Sequence, residues 1–468
     1  MKKNNFSYFK RTLGIILFWM ILLTVSAKQP KYIFYCIGDG MGMNHVEGTE
    51  YYLSPTIGEV QNRLLFTQFP SAGFSTTYSK SHFITCSAAG GTALATGVKT
   101  VNNTVGVDPE GKPVYSLIHY AQRKGWKTAV VTSVGLNDAT PAAFYAHEKS
   151  RNSTYEIGIQ AAESKIDFIG GAGFKMASIR NDQPELKLYE HFKQNGYSVI
   201  KGKDHSFHVA AERILMVPEK NYPKSELPYA IDRCESDLEL KDLVTAALNY
   251  LQRDTTEGFF MVIEAGQIDH AAHIQDAAAV FNEVIDFDKN IGLIYDFYQK
   301  HSDETLIIVT ADHETGGMGL GVKNTTLDLQ VLKNQRVSVN NLTTIIRNLR
   351  EEKGAHTTWD DVVSILKANL GFWDTVEISP SDEKLLKDCY TQTFTEKEVK
   401  GVVTLYAKND PLSVLAVEII NRIAQVGWTT SSHTAAPVPV YAIGKGSENF
   451  TGRLDNTEVQ KRILALME

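Results

Sequence analysis

Five short apolar runs recur along the chain, and segments whose apolar residues follow a helical spacing lie between them. The apolar runs are typical of buried strands and cover residues 31–37, 127–132, 258–264, 305–310 and 438–443. The helical spacing covers residues 87–96, 115–123, 238–252 and 277–300. Strands that alternate with helices indicate an α/β fold in which helices flank a central, largely parallel sheet.

A different pattern fills most of the segment between His313 and His433, which lie 120 positions apart. Amphipathic helical runs occur there at residues 342–353, 359–370, 384–389 and 411–428. We therefore expect one α/β domain over residues 28–468, with a mostly helical insertion at about 320–428.

The first 27 residues have the layout of a signal peptide. Four basic residues precede an apolar run at 13–25, and small residues follow at Ser26 and Ala27. A membrane anchor is the alternative, but the run is short for a span of about 20 residues. We expect cleavage after about Ala27 and a secreted or periplasmic protein with no stable membrane span after the signal is removed.

Composition narrows the class of protein. Hydrophobic residues make up 43% of the chain and charged residues 22%, which is ordinary for a globular protein with a core. The net charge of −7 argues against nucleic-acid binding, which favours an excess of basic residues. The four cysteines lack Cys-x-x-Cys spacing, which excludes zinc-finger and thioredoxin-like motifs. Pairing of Cys234 with Cys389 stays open.

Carboxyl and imidazole side chains follow three of the predicted strands, and parallel strands end at one edge of a sheet. These side chains belong to Asp39, Glu264, Asp269, His270, His273, Asp312 and His313. Each alone is more often a turn, a helix cap or a solvated helix face. Together they predict a metal site, because a mixture of oxygen and nitrogen ligands suits Zn²⁺ and an oxygen-only set suits Mg²⁺.

Ser87 opens a predicted helix that is rich in small residues. The backbone N–H groups at a helix N-terminus favour a bound anion such as phosphate. The alternative is that Ser87 only caps the helix. No nucleophile-elbow motif surrounds the serine, but a nearby metal could activate it instead by stabilising the alkoxide.

Six ordered segments make the chain similar to alkaline phosphatases. They are IGDGMG at 37–42, CSAAGGTALATGVKT at 86–100, DATPAAFYAHEKSR at 138–151, EAGQIDHAAH at 264–273, TADHETGG at 310–317 and SSHT at 431–434. The resemblance implies an enzyme that hydrolyses small-molecule phosphate monoesters through a phosphoserine, at a site with two zinc ions and one magnesium ion. It also leaves a homodimer open.

The resemblance implies catalytic and substrate-binding roles for four residues. Ser87 resembles the nucleophile, and Arg151 resembles the residue whose guanidinium clamps two phosphate oxygens. His270 and Asp138 match positions beside the bound phosphate, where we expect His270 to act without direct contact and Asp138 to reach the magnesium through water.

The resemblance also implies the metal ligands. They are Asp269, His273 and His433 for one zinc, Asp39, Asp312, His313 and the Ser87 oxygen for the second zinc, and Asp39, Thr140 and Glu264 for the magnesium. Asp39 would bridge two metals, which a carboxylate with two oxygens can do.

Two departures from the family pattern affect these expectations. Cys86 stands where bacterial members often have an aspartate that helps to position the arginine, so we expect a mobile Arg151 and weak inhibition by phosphate. His270 resembles the vertebrate choice and Asp138 the bacterial one, so the identity of the third metal stays open.

Other functions remain as alternatives. A sulfatase or phosphodiesterase of the same superfamily is one, but Ala88 and Gly90 stand where a sulfatase-like Cys-x-Pro-x-Arg motif would need proline and arginine. A non-catalytic protein that binds metal or phosphate is the other.

Overall fold

The computed structural model describes residues 29–54, 63–175, 184–203, 212–253, 256–323, 326–395 and 399–468. The predicted signal peptide, residues 1–27, lies outside these residues, and the domain boundaries stay predictions. Among the described residues, no helix is both long enough and apolar enough to cross a bilayer.

Sixteen strands are described. They are β1 (Tyr32–Gly38), β2 (Ser71–Thr76), β3 (Lys127–Thr132), β4 (Phe168–Gly170), β5 (Tyr197–Lys201), β6 (Arg213–Val217), β7 (Phe259–Ala265), β8 (Thr305–Thr310), β9 (Glu314–Thr315), β10 (Met318–Leu320), β11 (Val402–Val403), β12 (Lys408–Asn409), β13 (Val426–Trp428), β14 (His433–Thr434), β15 (Val438–Gly444) and β16 (Gly452–Asp455). Ten of them form one sheet in the order β16-β2-β15-β8-β1-β7-β3-β4-β6-β5. Only β15 runs opposite to its neighbours, β2 and β8, so the expected α/β fold with a largely parallel sheet is confirmed.

Fourteen α-helices are described alongside the strands. They are α1 (Met43–Leu53), α2 (Ser87–Thr96), α3 (Leu117–Arg123), α4 (Ala139–Ala142), α5 (Thr154–Glu163), α6 (Pro184–Gln194), α7 (Leu240–Leu251), α8 (Gln267–His273), α9 (Ala277–Lys300), α10 (Val339–Lys353), α11 (Trp359–Leu370), α12 (Pro380–Thr395), α13 (Pro411–Ile423) and α14 (Asn456–Met467).

Apolar cores lie on both faces of the sheet. Along β1, Phe34 belongs to one buried cluster and Tyr35 to the other, because successive side chains of a strand point to opposite faces. All seven residues of β1 are buried, which explains why its sequence is a continuous apolar run rather than an alternating one.

The segment between His313 and His433 holds helices α10 to α13 and two short strand pairs at its ends. Strand β9 pairs with β14, and β10 pairs with β13, so the segment leaves and rejoins the core at one place. The helix expected over residues 411–428 instead ends at Ile423. Gln425 has φ 63° in the left-handed region, which ends the helix and lets β13 begin.

A buried carboxylate attaches this segment to the core. Asp276 caps α9 by accepting a hydrogen bond from Ala279 N–H, at 3.0 Å. It also accepts from Gln335 Nε2 and from Val339 N–H, both at 2.8 Å. Asp276 is fully buried, and this burial raises its pKa to about 6.

Candidate active site

The site lies where β1, β7 and β8 end. The register pairs Ile37 of β1 with Glu264 of β7 and with Thr310 of β8, so these strands end side by side. Asp39 follows β1, and Asp312 and His313 follow β8. Ligands of parallel α/β sheets bind at this edge, as the sequence predicts.

Two groups of buried side chains could each hold a metal ion. In each group the candidate ligand atoms lie within 4.8 Å of one another, and the groups are Asp269 with His313 and His433, and Asp39 with Asp312 and His313. His313 belongs to both groups, since its Nε2 lies 3.4 Å from Asp312 Oδ2 and 3.5 Å from Asp39 Oδ1. The structure therefore brings the two predicted zinc-ligand sets together.

His273 joins the first group. Its Nε2 lies 3.1 Å from His433 Nε2 and 3.4 Å from Asp269 Oδ2. The Nδ1 atoms of both histidines contact backbone carbonyls, of Ser431 at 2.6 Å and of Thr85 at 2.9 Å. A carbonyl can only accept, so each Nδ1 must donate its hydrogen, and each ring in its neutral form would present a bare Nε2. This is how proteins orient metal-binding histidines.

Thr140 and Glu264 are two of the three predicted magnesium ligands, and both side chains are buried. Thr140 Oγ1 lies 3.2 Å from Asp39 Oδ2 and 3.3 Å from Asp312 Oδ2. Both carboxylate oxygens of Glu264 are buried without a hydrogen-bond partner, as is Asp39 Oδ1. A buried carboxylate without a partner is costly, and a bound cation would remove that cost.

The electrostatics of these carboxylates also favour bound cations. Burial, followed by the charges of Asp312 and other nearby carboxylates, raises the pKa of Asp39 well above its usual range. Burial likewise raises the pKa of Glu264, and burial with the charge of Asp269 raises that of Asp312 to about 7. Divalent ions would stabilise the ionised forms, so the residues present fit the implied metals.

Ser87 lies beside these groups. It is 1% exposed, and its Oγ is 3.1 Å from His313 Nε2. The N-cap of α2 is Cys86 and not Ser87, so the alternative that Ser87 only caps the helix is wrong. A Cβ added at Gly90 would lie 2.8 Å from the Asp312 carbonyl oxygen, so a glycine there lets α2 approach the end of β8 closely.

Arg151 contacts the carboxylate of Asp138. Its Nη2 lies 3.0 Å from Asp138 Oδ1, and the other oxygen of Asp138 pairs with Lys175 Nζ. Burial opposes ionisation of Asp138, but the charges of Lys175 and Arg151 outweigh it and hold its pKa below the usual range. Asp138 therefore supplies a carboxylate for the guanidinium although position 86 does not, and the mobility of Arg151 stays a prediction.

His270 is buried, and its ring lies beside Glu226 and Tyr406. Its Nδ1 lies 3.2 Å from Glu226 Oε1, and its ring centroid is 3.7 Å from that of Tyr406. Glu226, Tyr406 and Lys175 were not predicted from the sequence as site residues. Lys175 follows a glycine-rich turn after β4, and a basic residue after such a turn could have been predicted to face the site. Nothing in the local sequence distinguishes Tyr406.

A cavity of about 890 Å³ opens onto the site. Its lining includes Cys86, Asp138, Arg151, Lys175, Tyr406 and His433. The cavity combines two fixed cations with the entrance to the candidate metal groups, so it suits a substrate that carries a phosphate.

Comparisons with known proteins agree with this geometry. A family model described as "Alkaline phosphatase" matches residues 30–468. Alkaline phosphatase 4 of Bacillus subtilis is 31% identical over 463 residues, which cover 95% of this chain and 91% of that protein. The structure of a cold-active alkaline phosphatase from Shewanella sp. has a TM-score of 0.78 and 27% identity, and the match covers 93% of this chain and 100% of that one. A mutant of TAB5 alkaline phosphatase, described with Mg bound in the M3 site, has a TM-score of 0.65 and 25% identity over 94% of this chain and 99% of that one.

Proposed function

Since this chain belongs to the alkaline phosphatase family, we propose that it hydrolyses phosphate monoesters to an alcohol and inorganic phosphate through a phosphoserine (EC 3.1.3.1). The observation that carries the proposal is the position of Ser87. Its Oγ lies 3.1 Å from His313 Nε2, and His313 belongs to both candidate metal groups.

The residues divide into ligands of two zinc ions and one magnesium ion. Asp269, His273 and His433 would hold one zinc, and Asp39, Asp312 and His313 the other. Asp39, Thr140 and Glu264 would hold the magnesium, a proposal supported by their oxygen-only chemistry and by the Mg described for the TAB5 mutant. When bound, such ions lower the pKa of a hydroxyl or a water and neutralise a departing alkoxide.

The reaction then proceeds through two successive displacements at phosphorus. Ser87 gives up its hydroxyl proton as its Oγ attacks phosphorus, the bond from phosphorus to the ester oxygen breaks, and the departing oxygen takes up a proton and leaves as the alcohol. A water molecule next attacks the phosphoserine, and Ser87 Oγ leaves with a proton while phosphate is released. Arg151 donates two N–H groups to phosphate oxygens throughout, because its planar guanidinium matches them.

The decisive experiment combines substrate choice with trapping of the intermediate. The purified protein should hydrolyse p-nitrophenyl phosphate much faster than the bis ester or the sulfate ester. Ser87→Ala should fold and retain its metals but lose the labelled phosphoserine and nearly all turnover. Ser87→Ala with near wild-type turnover would refute the nucleophile, and preference for the diester or the sulfate would support the alternatives.

We also propose that the protein is exported. The support is the signal-peptide layout of residues 1–27. Sequencing the N-terminus of the protein recovered from outside the cytoplasm should begin after about Ala27, and an intact Met1 would contradict cleavage. The homodimer stays a prediction, which size measurement in solution would check.

A further inference from the structure

A hairpin in the inserted segment delivers one tyrosine to the site. Strands β11 and β12 pair antiparallel, and Tyr406 lies in the turn between them, where Thr404 N–H donates to the Ala407 carbonyl at 2.8 Å. Arg347 of α10 donates to the Lys408 carbonyl at 2.7 Å. Lys224, from outside the segment, donates to the carbonyl of Tyr406 itself. The backbone at Tyr406 is therefore fixed from two sides.

The side chain of Tyr406 contacts the cationic wall of the cavity. Its hydroxyl lies 3.4 Å from Arg151 Nη2, and Lys175 Nζ lies 5.2 Å from its ring centroid. Its ring packs on that of His270, with a centroid distance of 3.7 Å. An aromatic face attracts cations, and the hydroxyl oxygen accepts from a guanidinium, so both parts of the side chain favour this arrangement.

We propose that Tyr406 is a positioning residue that sets the orientation of Arg151 for phosphate, which gives the inserted segment a role in substrate affinity. This inference rests on the proposed function. Arg151 Nη2 donates to both Asp138 and Tyr406, so two acceptors fix the guanidinium. The N–H groups of Nη1 and Nε are not used by either contact. A guanidinium fixed in advance loses less conformational freedom when it binds an anion.

Two substitutions separate the hydroxyl from the ring. Tyr406→Phe removes only the contact with Arg151, and we expect KM and the inhibition constant of inorganic phosphate to rise together by about three- to tenfold, the effect of one ordinary hydrogen bond. We expect kcat to change by less than about twofold, because the loss of a binding interaction common to ground state and transition state raises KM and leaves kcat unchanged. Tyr406→Leu also removes the ring and should weaken binding further, so that phenylalanine partly rescues leucine.

The matched control is Tyr390→Phe. Tyr390 belongs to α12 of the same segment, and its hydroxyl donates to the Thr357 carbonyl at 2.7 Å, away from the cavity lining. It should leave KM and the phosphate inhibition constant unchanged. Equal effects of the two tyrosine variants would show a general loosening of the segment and would overturn the proposal.

A double-mutant cycle tests whether Tyr406 acts through Arg151. In an Arg151→Ala background, Tyr406→Phe should no longer change phosphate inhibition, because the group that it positions is gone. Additive effects would overturn the proposal. Tighter phosphate binding by Tyr406→Phe would also overturn it, since the hydroxyl would then hold Arg151 away from the anion. Metal analysis of each variant should give wild-type content.

Direct binding of inorganic phosphate separates this inference from the proposed function. If the wild type binds phosphate by calorimetry but does not turn over p-nitrophenyl phosphate, the proposed function fails, and the Kd values of wild type and Tyr406→Phe still decide the role of Tyr406. If the wild type turns over and Tyr406→Phe matches it, only the inference fails. A wild type that neither binds nor hydrolyses would overturn both.

Discussion

Replacing Arg151 with alanine tests the clamp on phosphate most directly. The arginine side chain is 16% exposed and bonded to Asp138, so its charge already faces the cavity in a fixed position. Two charge-assisted hydrogen bonds to phosphate are each worth about 1.5–3 kcal/mol, and water admitted into the space recovers part of that. We expect a net loss of about 2–4 kcal/mol of transition-state stabilisation, which is about 30- to 1000-fold in kcat/KM.

A conservative variant separates the contribution of the positive charge to this loss of transition-state stabilisation from the contribution of the guanidinium geometry. Arg151→Lys keeps a positive charge but not the planar fork that bonds two oxygens at once. We expect it to fall between wild type and Arg151→Ala in kcat/KM. Neither variant should empty the metal sites, because Arg151 belongs to neither candidate metal group.

The assay is steady-state hydrolysis of p-nitrophenyl phosphate, with inhibition by inorganic phosphate and with metal content measured on the same samples. KM should rise and kcat/KM should fall in the order wild type, Arg151→Lys, Arg151→Ala. A fall in kcat/KM of less than about tenfold in Arg151→Ala, with metals intact, would refute the clamp, since even one lost charge-assisted bond exceeds that.

Three further predictions follow from other parts of the structure. Chelation should abolish activity, and zinc with magnesium should restore it; elemental analysis that finds no zinc in active protein would contradict the ligand assignment. Cys86→Asp should tighten phosphate inhibition by less than Arg151→Ala weakens it, because Asp138 already holds the guanidinium; no change would show that position 86 does not influence the clamp. Burial raises the pKa of Asp276 from the ordinary aspartate value of about 3.9 to about 6, so its contribution to stability is fully present below about pH 4 and is lost as the pH rises through 6. Unfolding of the metal-free protein by denaturant should therefore show a smaller loss of stability between pH 4 and 7 in Asp276→Asn, by about 1–3 kcal/mol, and an unchanged loss would exclude this carboxyl as the cause.

Several strands of the sheet could be predicted because a strand buried on both faces has a local run of apolar residues. Strands β1, β7 and β8 are buried along their whole length, so the middle of each strand reads as a run of apolar residues. The end of α13 could not be predicted in the same way. Gln425 turns the chain there, and the following strand is fixed by pairing with Met318–Leu320, about a hundred residues away.

Some residues of the candidate site could likewise be predicted from the sequence, and others could not. Carboxylates and histidines that follow strands, such as Asp39 and His313, could be found because the strand ends could be found. Tyr406 and Glu226 reach the site only through tertiary contacts, from a hairpin turn and a loop whose sequences carry no motif. The contact of Asp138 with Arg151 was not predicted, although both residues lie within residues 138–151, because spacing alone does not give the direction of a side chain.

The paired ends of the inserted segment have an evolutionary consequence. Strand β14 brings His433 opposite Thr315, two residues after His313, and β13 closes on β10 beside it. The chain between these pairs can therefore lengthen or shorten without displacing the histidine that follows it, since each doubling of a flexible connection within it adds only about 0.6 kcal/mol of closure entropy. Selection can thus alter the outer segment, and with it whatever side chain its hairpin presents to substrate, while the chemistry beneath is inherited unchanged.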